Sequence, residues 1–245
     1  MSLSRTNVLR HIDRYNLSGT IESVIWDITD EEVNIGFISP DNTVIGNLFV
    51  QDFDFDVEHE IGILQTSRLK KLVRILEDEF EVDFDYQTKD GYEVPTTLAM
   101  DDGQKKVQFR LTDTDIPPRM PTIKRLPDFN ATIPITEAIS TDFRSADKAL
   151  DESEFGIQEI EDGVEIIVGH TSGNRVRHNN KVRIPVPCEV QKEFSDTVVF
   201  NSDVFSEILK ANDDAEDGTW EVSSEGMSRI EFEGENWAIT YYLIS

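Results

Sequence analysis

Residues 67–86 read SRLKKLVRILEDEFEVDFDY, and the spacing of the apolar residues changes within that stretch. From Ser67 to Leu76 the apolar positions are Leu69, Leu72, Val73 and Leu76, the i, i+3, i+4, i+7 pattern of an amphipathic helix. From Glu79 to Tyr86, Phe80, Val82, Phe84 and Tyr86 alternate with acids, as in a strand with one wet face. The charge changes sign with the period. Arg68, Lys70, Lys71 and Arg74 lie opposite the apolar stripe of the helix with no acid before Glu77, whereas the outer face of the strand is acidic.

The same two patterns recur along the chain. Asn47 to Val57 alternates like a strand, with Phe49, Phe53, Phe55 and Val57 expected on one face. Asp90-Gly91, Asp102-Gly103, Asp162-Gly163 and Glu225-Gly226 separate such runs and supply the residue that a tight hairpin needs at positive φ. Three further segments have helical spacing. Ser4 to Tyr15 places Val8, Leu9, Ile12 and Tyr15 on one side, Ser140 to Leu150 places Phe143, Ala146 and Leu150, and Asn201 to Lys210 places Val204, Phe205, Ile208 and Leu209. Thr66 or Ser67, Ser140 or Thr141, and Asn201 or Ser202 are the expected N-caps. The fold class is therefore α+β: antiparallel sheets with four short helices.

The order of these elements repeats. Helix, strands, helix, strands runs to about residue 115 and again from about 130, and equivalent helices start roughly 136 residues apart. Between the halves, Thr112 to Asn130 holds Pro117, Pro118, Pro121 and Pro127, which mark an extended connector because proline lacks the ladder donor. The expected division is residues 1–115, a connector over 116–130, and residues 131–245.

Across its 245 residues the chain carries 23 Lys+Arg against 49 Asp+Glu, a formal net charge of −26. No apolar stretch reaches the ~20 residues that span a bilayer, and the N-terminus has no signal-peptide pattern, so no membrane is expected and the expected location is cytoplasmic. The single Cys188 excludes an internal disulfide. Net charge alone would argue against nucleic acid, but the placement of the cations argues otherwise. Arg5, Arg10, Arg14, Arg68, Lys70, Lys71, Arg74, Arg144, Lys148 and Lys210 all lie in the four helices, while the strands carry most of the acids. One charged helix face is ordinary; basic faces repeated in an acidic chain point to an anionic partner, and a phosphate backbone is the commonest one. No recognition helix and no aromatic stacking platform is evident, so the contact with double-stranded DNA is expected to be sequence-neutral.

Three short motifs carry a resemblance. Phe232-Glu233-Gly234-Glu235 followed by Trp237–Ile244, Ile61-Gly62-Ile63-Leu64 before the second helix, and Ile135-Thr136-Glu137 before the third are similar to segments of DNA sliding clamps. With the repeated halves and the connector, the chain resembles the proliferating cell nuclear antigen superfamily, and within it the clamps of T-even-like bacteriophages. The resemblance implies the DNA-clamp fold and a homotrimeric ring of six similar domains with the helices inside. It also implies a processivity factor that encircles duplex DNA and tethers a DNA polymerase, loaded by an ATP-dependent clamp loader, with no chemistry and no cofactor of its own. A phage-encoded clamp would work in the cytoplasm of the bacterial host. The resemblance further implies a pocket for partner peptides beside the connector, here at Ile116, Met120, Ile123 and Leu126 with Tyr241, Tyr242 and Leu243. The basic hairpin from His170 to Arg183, with Arg175, Arg177, His178 and Lys181, is a second candidate surface, at the ring hole or between subunits.

Other chemistries are less well supported by the residues. Asp52, Asp54 and Asp56 suggest a calcium loop, but the sixth and twelfth positions hold Val57 and Ile63 where an EF-hand needs Gly and Glu. A metal-dependent nuclease built on strand carboxylates is the enzyme alternative. His170, His178 and Cys188 lack metal-ligand spacing, and no phosphate-binding GxxxxGK[ST] loop occurs. An acidic DNA-mimic inhibitor would carry acids on its helices as well, which Ser67–Leu76 does not.

Overall fold

The elements fall largely where local chemistry directs them. The structure, a computed structural model, describes residues 2–51, 53, 55, 58–89, 91–170 and 180–245. It divides into two compact units. The first comprises Met1–Pro40, Ile45–Pro121 and Asn236–Ile239, and the second Asp41–Val44, Thr122–Glu235 and Thr240–Ser245.

In the first half of the chain the elements are β1 (Ser2–Ser4), α1 (Arg5–Asn16), β2 (Ser23–Ile28), β3 (Val33–Ile38), β4 (Val44–Val50), β5 (His59–Leu64), α2 (Thr66–Val73), β6 (Glu79–Lys89), β7 (Tyr92–Asp101) and β8 (Lys106–Arg110). The second half contains β9 (Ala131–Pro134), α3 (Glu137–Leu150), β10 (Glu154–Ile160), β11 (Gly163–Val168), β12 (Val182–Pro187), β13 (Glu189–Val190), β14 (Val198–Asn201), α4 (Ser202–Ala211), β15 (Asp217–Ser223), β16 (Met227–Gly234) and β17 (Trp237–Ile244).

The two halves share one wiring. β1 pairs with β6 across the chain, and the sheet continues through β7 to β8. Likewise β9 pairs with β15, which pairs with β16. In the first half β2 lies between β3 and β5, and in the second β10 lies between β11 and β14. In both halves the strand before the first helix thus pairs with the strand after the second. All of these pairs are antiparallel.

Aromatic residues fill each core. Trp26, Phe53, Phe55 and Phe84 form a chain of rings with centroids 5.7–6.1 Å apart in the first unit. In the second, Phe143 of α3 and Phe205 of α4 meet edge to face at 4.8 Å, and Phe205 lies 4.5 Å from Trp220. Each such pair contributes about 0.5–1.5 kcal/mol beyond its buried area. The apolar stripes read from the sequence are therefore what attaches the helices to the sheets.

Several local expectations are corrected. The strand expected over Asn47 to Val57 ends at Val50, and Phe49 is exposed because Leu48 and Val50 take the buried phase. Phe53 and Phe55 are buried, but beyond the end of β4. Asp52, Asp54, Asp56 and Val57 lie outside the described residues. Helix α3 starts earlier than expected, with Thr136 as its cap accepting a hydrogen bond from the Ile139 N–H. Asn201 caps α4 as anticipated, accepting from the Val204 N–H at 2.9 Å. At α2 neither Thr66 nor Ser67 is the cap residue: Gln65 occupies that position in the left-handed region.

Candidate nucleic-acid interface

Helix α2 is held by residues far away in sequence. The Glu22 carboxylate accepts from the Ser67 backbone N–H at 3.0 Å and from the Ser67 hydroxyl. A carboxylate at a helix N-terminus satisfies an orphan donor and suits the helix dipole. The buried side, Thr66, Leu69 and Val73, packs into the first unit. Arg68, Lys71 and Arg74 are exposed, and among the described residues no acid pairs with them. Lys70 behaves differently: its ammonium pairs with Asp13 of α1 and its side chain is only 16% exposed. It ties the two helices together as much as it contributes to a charged face.

Helix α1 presents fewer exposed cations than the sequence suggests. Arg10 is exposed. Arg5 turns back to donate to the Leu76 carbonyl at 2.7 Å and pairs with Asp78, so it anchors the segment after α2. Arg14 is 1% exposed and does not face solvent at all, which corrects its assignment as a DNA contact. Its guanidinium stacks on Trp237, 3.6 Å from the ring centroid, within the same compact unit. Its Nη1 lies 3.1 Å from His11 Nδ1. Arginine can only donate, so this contact makes Nδ1 the acceptor and leaves the imidazole proton on Nε2. Desolvated cation–π contacts of this kind are worth about 2 kcal/mol, which offsets part of the cost of burying the charge.

The second unit's helices are not a basic surface. Arg144 is half-buried, Lys148 is exposed, and Lys210 pairs with Glu207 at 3.0 Å one turn away. Asp203, in the first turn of α4, has its carboxyl pushed up by burial and by the charges of Asp147, Asp151 and Glu207. Helix α3 carries Asp142 and Asp147 as well as its two cations, and α4 carries Asp203 as well as the Glu207 that pairs with Lys210. Among the described residues, α2 is the helix that presents several exposed cations, Arg68, Lys71 and Arg74, with no acid paired to them.

The residues expected to receive a partner peptide differ in their exposure within each unit. Tyr241 is fully buried, its hydroxyl 2.9 Å from Asn212 Nδ2, and Leu243 is 3% exposed, so both belong to the core of the second unit and are removed from the candidate set. Ile116 is 60% exposed, while Met120, Ile123, Leu126 and Tyr242 are half-buried. Met120 covers Gly36, where its Cβ sits 3.1 Å from the place a side chain would occupy. Of the basic hairpin, residues 171–179, including Arg175, Arg177 and His178, lie outside the described residues. Arg183 pairs with Glu165, and the His170 imidazole is held below its ordinary range by burial and by Lys181 and Arg183.

Among the described residues no group of three or more His, Cys, Asp or Glu side chains could hold a metal ion, and no helix is long and apolar enough to cross a membrane. Sequence reasoning missed Glu22 as the carboxylate that accepts from the first turn of α2 and Trp237 as the bed of Arg14. Neither lies close enough along the chain to be signalled by spacing.

No protein-family model and no curated protein matches the chain. Among solved structures it is similar to the proliferating cell nuclear antigen of Entamoeba histolytica, with a TM-score of 0.72 and 18% sequence identity. The match covers 98% of this chain and 95% of that one. The chain has the DNA-clamp fold. The duplicated wiring of the two halves is thus a property of that fold, realised here with little sequence in common.

Proposed function

We propose that the chain is a sliding clamp, a non-enzymatic processivity factor of the T-even-like phage type that encircles double-stranded DNA as a homotrimer. The observation that carries the reading is the clamp fold itself, shared over 98% of the chain with a proliferating cell nuclear antigen. The exposed, unopposed cations of α2 supply the sequence-neutral contact with phosphates. Topological linkage, rather than affinity, then retains the ring on DNA, and the acidity elsewhere discourages binding on other surfaces. A polymerase docks on Ile116, Met120, Ile123, Leu126 and Tyr242 and gains effective concentration at the primer end. An ATP-dependent loader opens and closes the ring, and the work is done in the cytoplasm of the phage's host.

The test needs no loader. Subunits diluted to monomers are concentrated in the presence of nicked circular duplex DNA, and the mixture is passed over a sizing column. Light scattering should give a mass of three chains, and the protein should stay with the circle and leave it when a restriction enzyme opens the circle. Equal retention on circular and linear DNA would refute encirclement.

A further inference from the structure

The connector that follows β8 is fastened at both ends and bare in the middle. At its start the Thr112 N–H donates to the Gly62 carbonyl at 3.0 Å and Asp113 pairs with Lys89 at 3.0 Å. The Arg119 guanidinium then donates twice to the Glu60 carboxylate, at 2.9 and 2.7 Å. At its end, in the second unit, the Asp128 carbonyl accepts from the Ser223 hydroxyl at 2.8 Å. The Asn130 N–H donates to the Val222 carbonyl at 2.7 Å, and the Asn130 side-chain amide to the Glu193 carbonyl at 2.8 Å. Residues 118–129 form neither helix nor strand, and among the described residues none of 118–127 has a backbone hydrogen bond to backbone. Pro121 and Pro127 bracket the bare stretch and fix φ at its two ends.

The charges along the connector are not equivalent. Asp113, Arg119 and Asp128 are matched by Lys89, Glu60 and Lys192. Lys124 and Arg125 are exposed, and neither has an ion-pair partner among the described residues. In a chain with 49 acids against 23 cations, two adjacent cations that no acid neutralises are left for something outside the chain. On either side of them Ile123 and Leu126 are half-buried. Residues 123–126 therefore combine unused backbone donors and acceptors, two apolar side chains and two unneutralised cations.

We propose that residues 122–127 select an extended peptide whose apolar side chains are flanked by acids, with the carboxylates meeting Lys124 and Arg125. An extended partner satisfies the free backbone groups, and its apolar side chains reach Ile123 and Leu126, so the two cations decide which charge is accepted between them. A DNA backbone has no use for the apolar residues, and Asp115 and Asp128 on the same connector repel it. A basic peptide is attracted by the acidic surface at large but repelled at this point, which makes the requirement local and gives it the force of a specificity. This inference rests on the docking reading above and adds the chemistry of the partner.

A displayed library of random peptides is selected on the full chain and on a variant with Ile123→Ser and Leu126→Ser, so that sequences bound only by the former report on this site. Those sequences should carry acids beside their apolar residues. A synthetic peptide of the most enriched sequence should bind a variant with Lys124→Gln and Arg125→Gln about five-fold more weakly than the wild type, the effect of two exposed ion pairs, by fluorescence anisotropy. The difference should fade in high salt, and exchanging the two cations by Lys124→Arg and Arg125→Lys should leave binding unchanged. Circular dichroism checks each variant, and alanines at 123 and 126 replace the serines should those disturb folding. Site-dependent peptides that are neutral or basic, or equal binding by the glutamine variant, would overturn the acidic inference and leave docking standing. A glutamine variant that loses affinity for duplex DNA but not for the peptide would assign the pair to phosphate and overturn it as well. Absence of any site-dependent peptide would overturn the docking reading and this inference with it.

Discussion

Substitution of Gly62 by alanine probes the point at which the outer side of the β8 segment is fastened. A Cβ at Gly62 would lie 2.6 Å from the Thr112 carbonyl oxygen, 2.8 Å from Thr112 Cγ2 and 3.2 Å from the Asp113 carbonyl oxygen. Two of these three are backbone atoms and cannot swing aside, so the Gly62–Thr112 bridge must open. Its hydrogen bond, Thr112 N–H to the Gly62 carbonyl, is worth about 1 kcal/mol net. Strain from overpacking adds typically about 1–3 kcal/mol. Loss of backbone freedom in the unfolded chain returns about 0.4–1 kcal/mol. The expected net cost is about 2 kcal/mol, read as a lower urea midpoint by tryptophan fluorescence. Gly36→Ala is the control: its Cβ would meet Met120 Cβ at 3.1 Å and no backbone atom within 4 Å, so a yield of a few tenths of an ångström suffices and the cost should be smaller than at Gly62. A Gly62→Ala protein within about 0.5 kcal/mol of wild type, or a Gly36→Ala protein as damaged as Gly62→Ala, would refute the argument.

The charge argument predicts that Arg68→Gln, Lys71→Gln and Arg74→Gln together lower the slope of log affinity against log salt by about 0.9 for each cation that meets a phosphate. Arg14→Gln should leave that slope unchanged while lowering stability; an unchanged slope in the triple variant would sink the assignment of α2. Asp102, in the turn between β7 and β8, is pushed up by burial. The N–H groups of Lys105, Glu77 and Gln104, at 2.6–3.0 Å, and the Lys105 ammonium outweigh that and hold its carboxyl well below the usual carboxylate range. A depressed folded-state pKa stabilises above the unfolded value, about 3.9, and that contribution is lost as pH falls through the folded value. Asp102→Asn should therefore melt lower than wild type at pH 7, with the gap narrowing below about pH 4; a gap independent of pH would count against the turn's role.

Part of this protein is written locally. The apolar spacing that makes α2 a helix and β6 a strand, and the glycines at positive φ in the hairpins, act over windows of a few residues. The sequence alone therefore showed the elements, their repetition and the basic stripe of α2. Tertiary structure decided which charges remain available. Arg14 has the same spacing from Arg10 that solvated helix cations have, yet it is buried because Trp237 arrives from the far end of the chain to stack on it. Lys210 and Arg144 read as equivalents of the α2 cations, but α3 and α4 bring Asp147, Asp151, Asp203 and Glu207 into one neighbourhood. Phe49 lost its expected place because the phase of β4 is set by its partner β3 rather than by its own alternation. Periodicity specifies which face is apolar; what covers that face, and which charges are left over, depends on residues that only folding brings within reach.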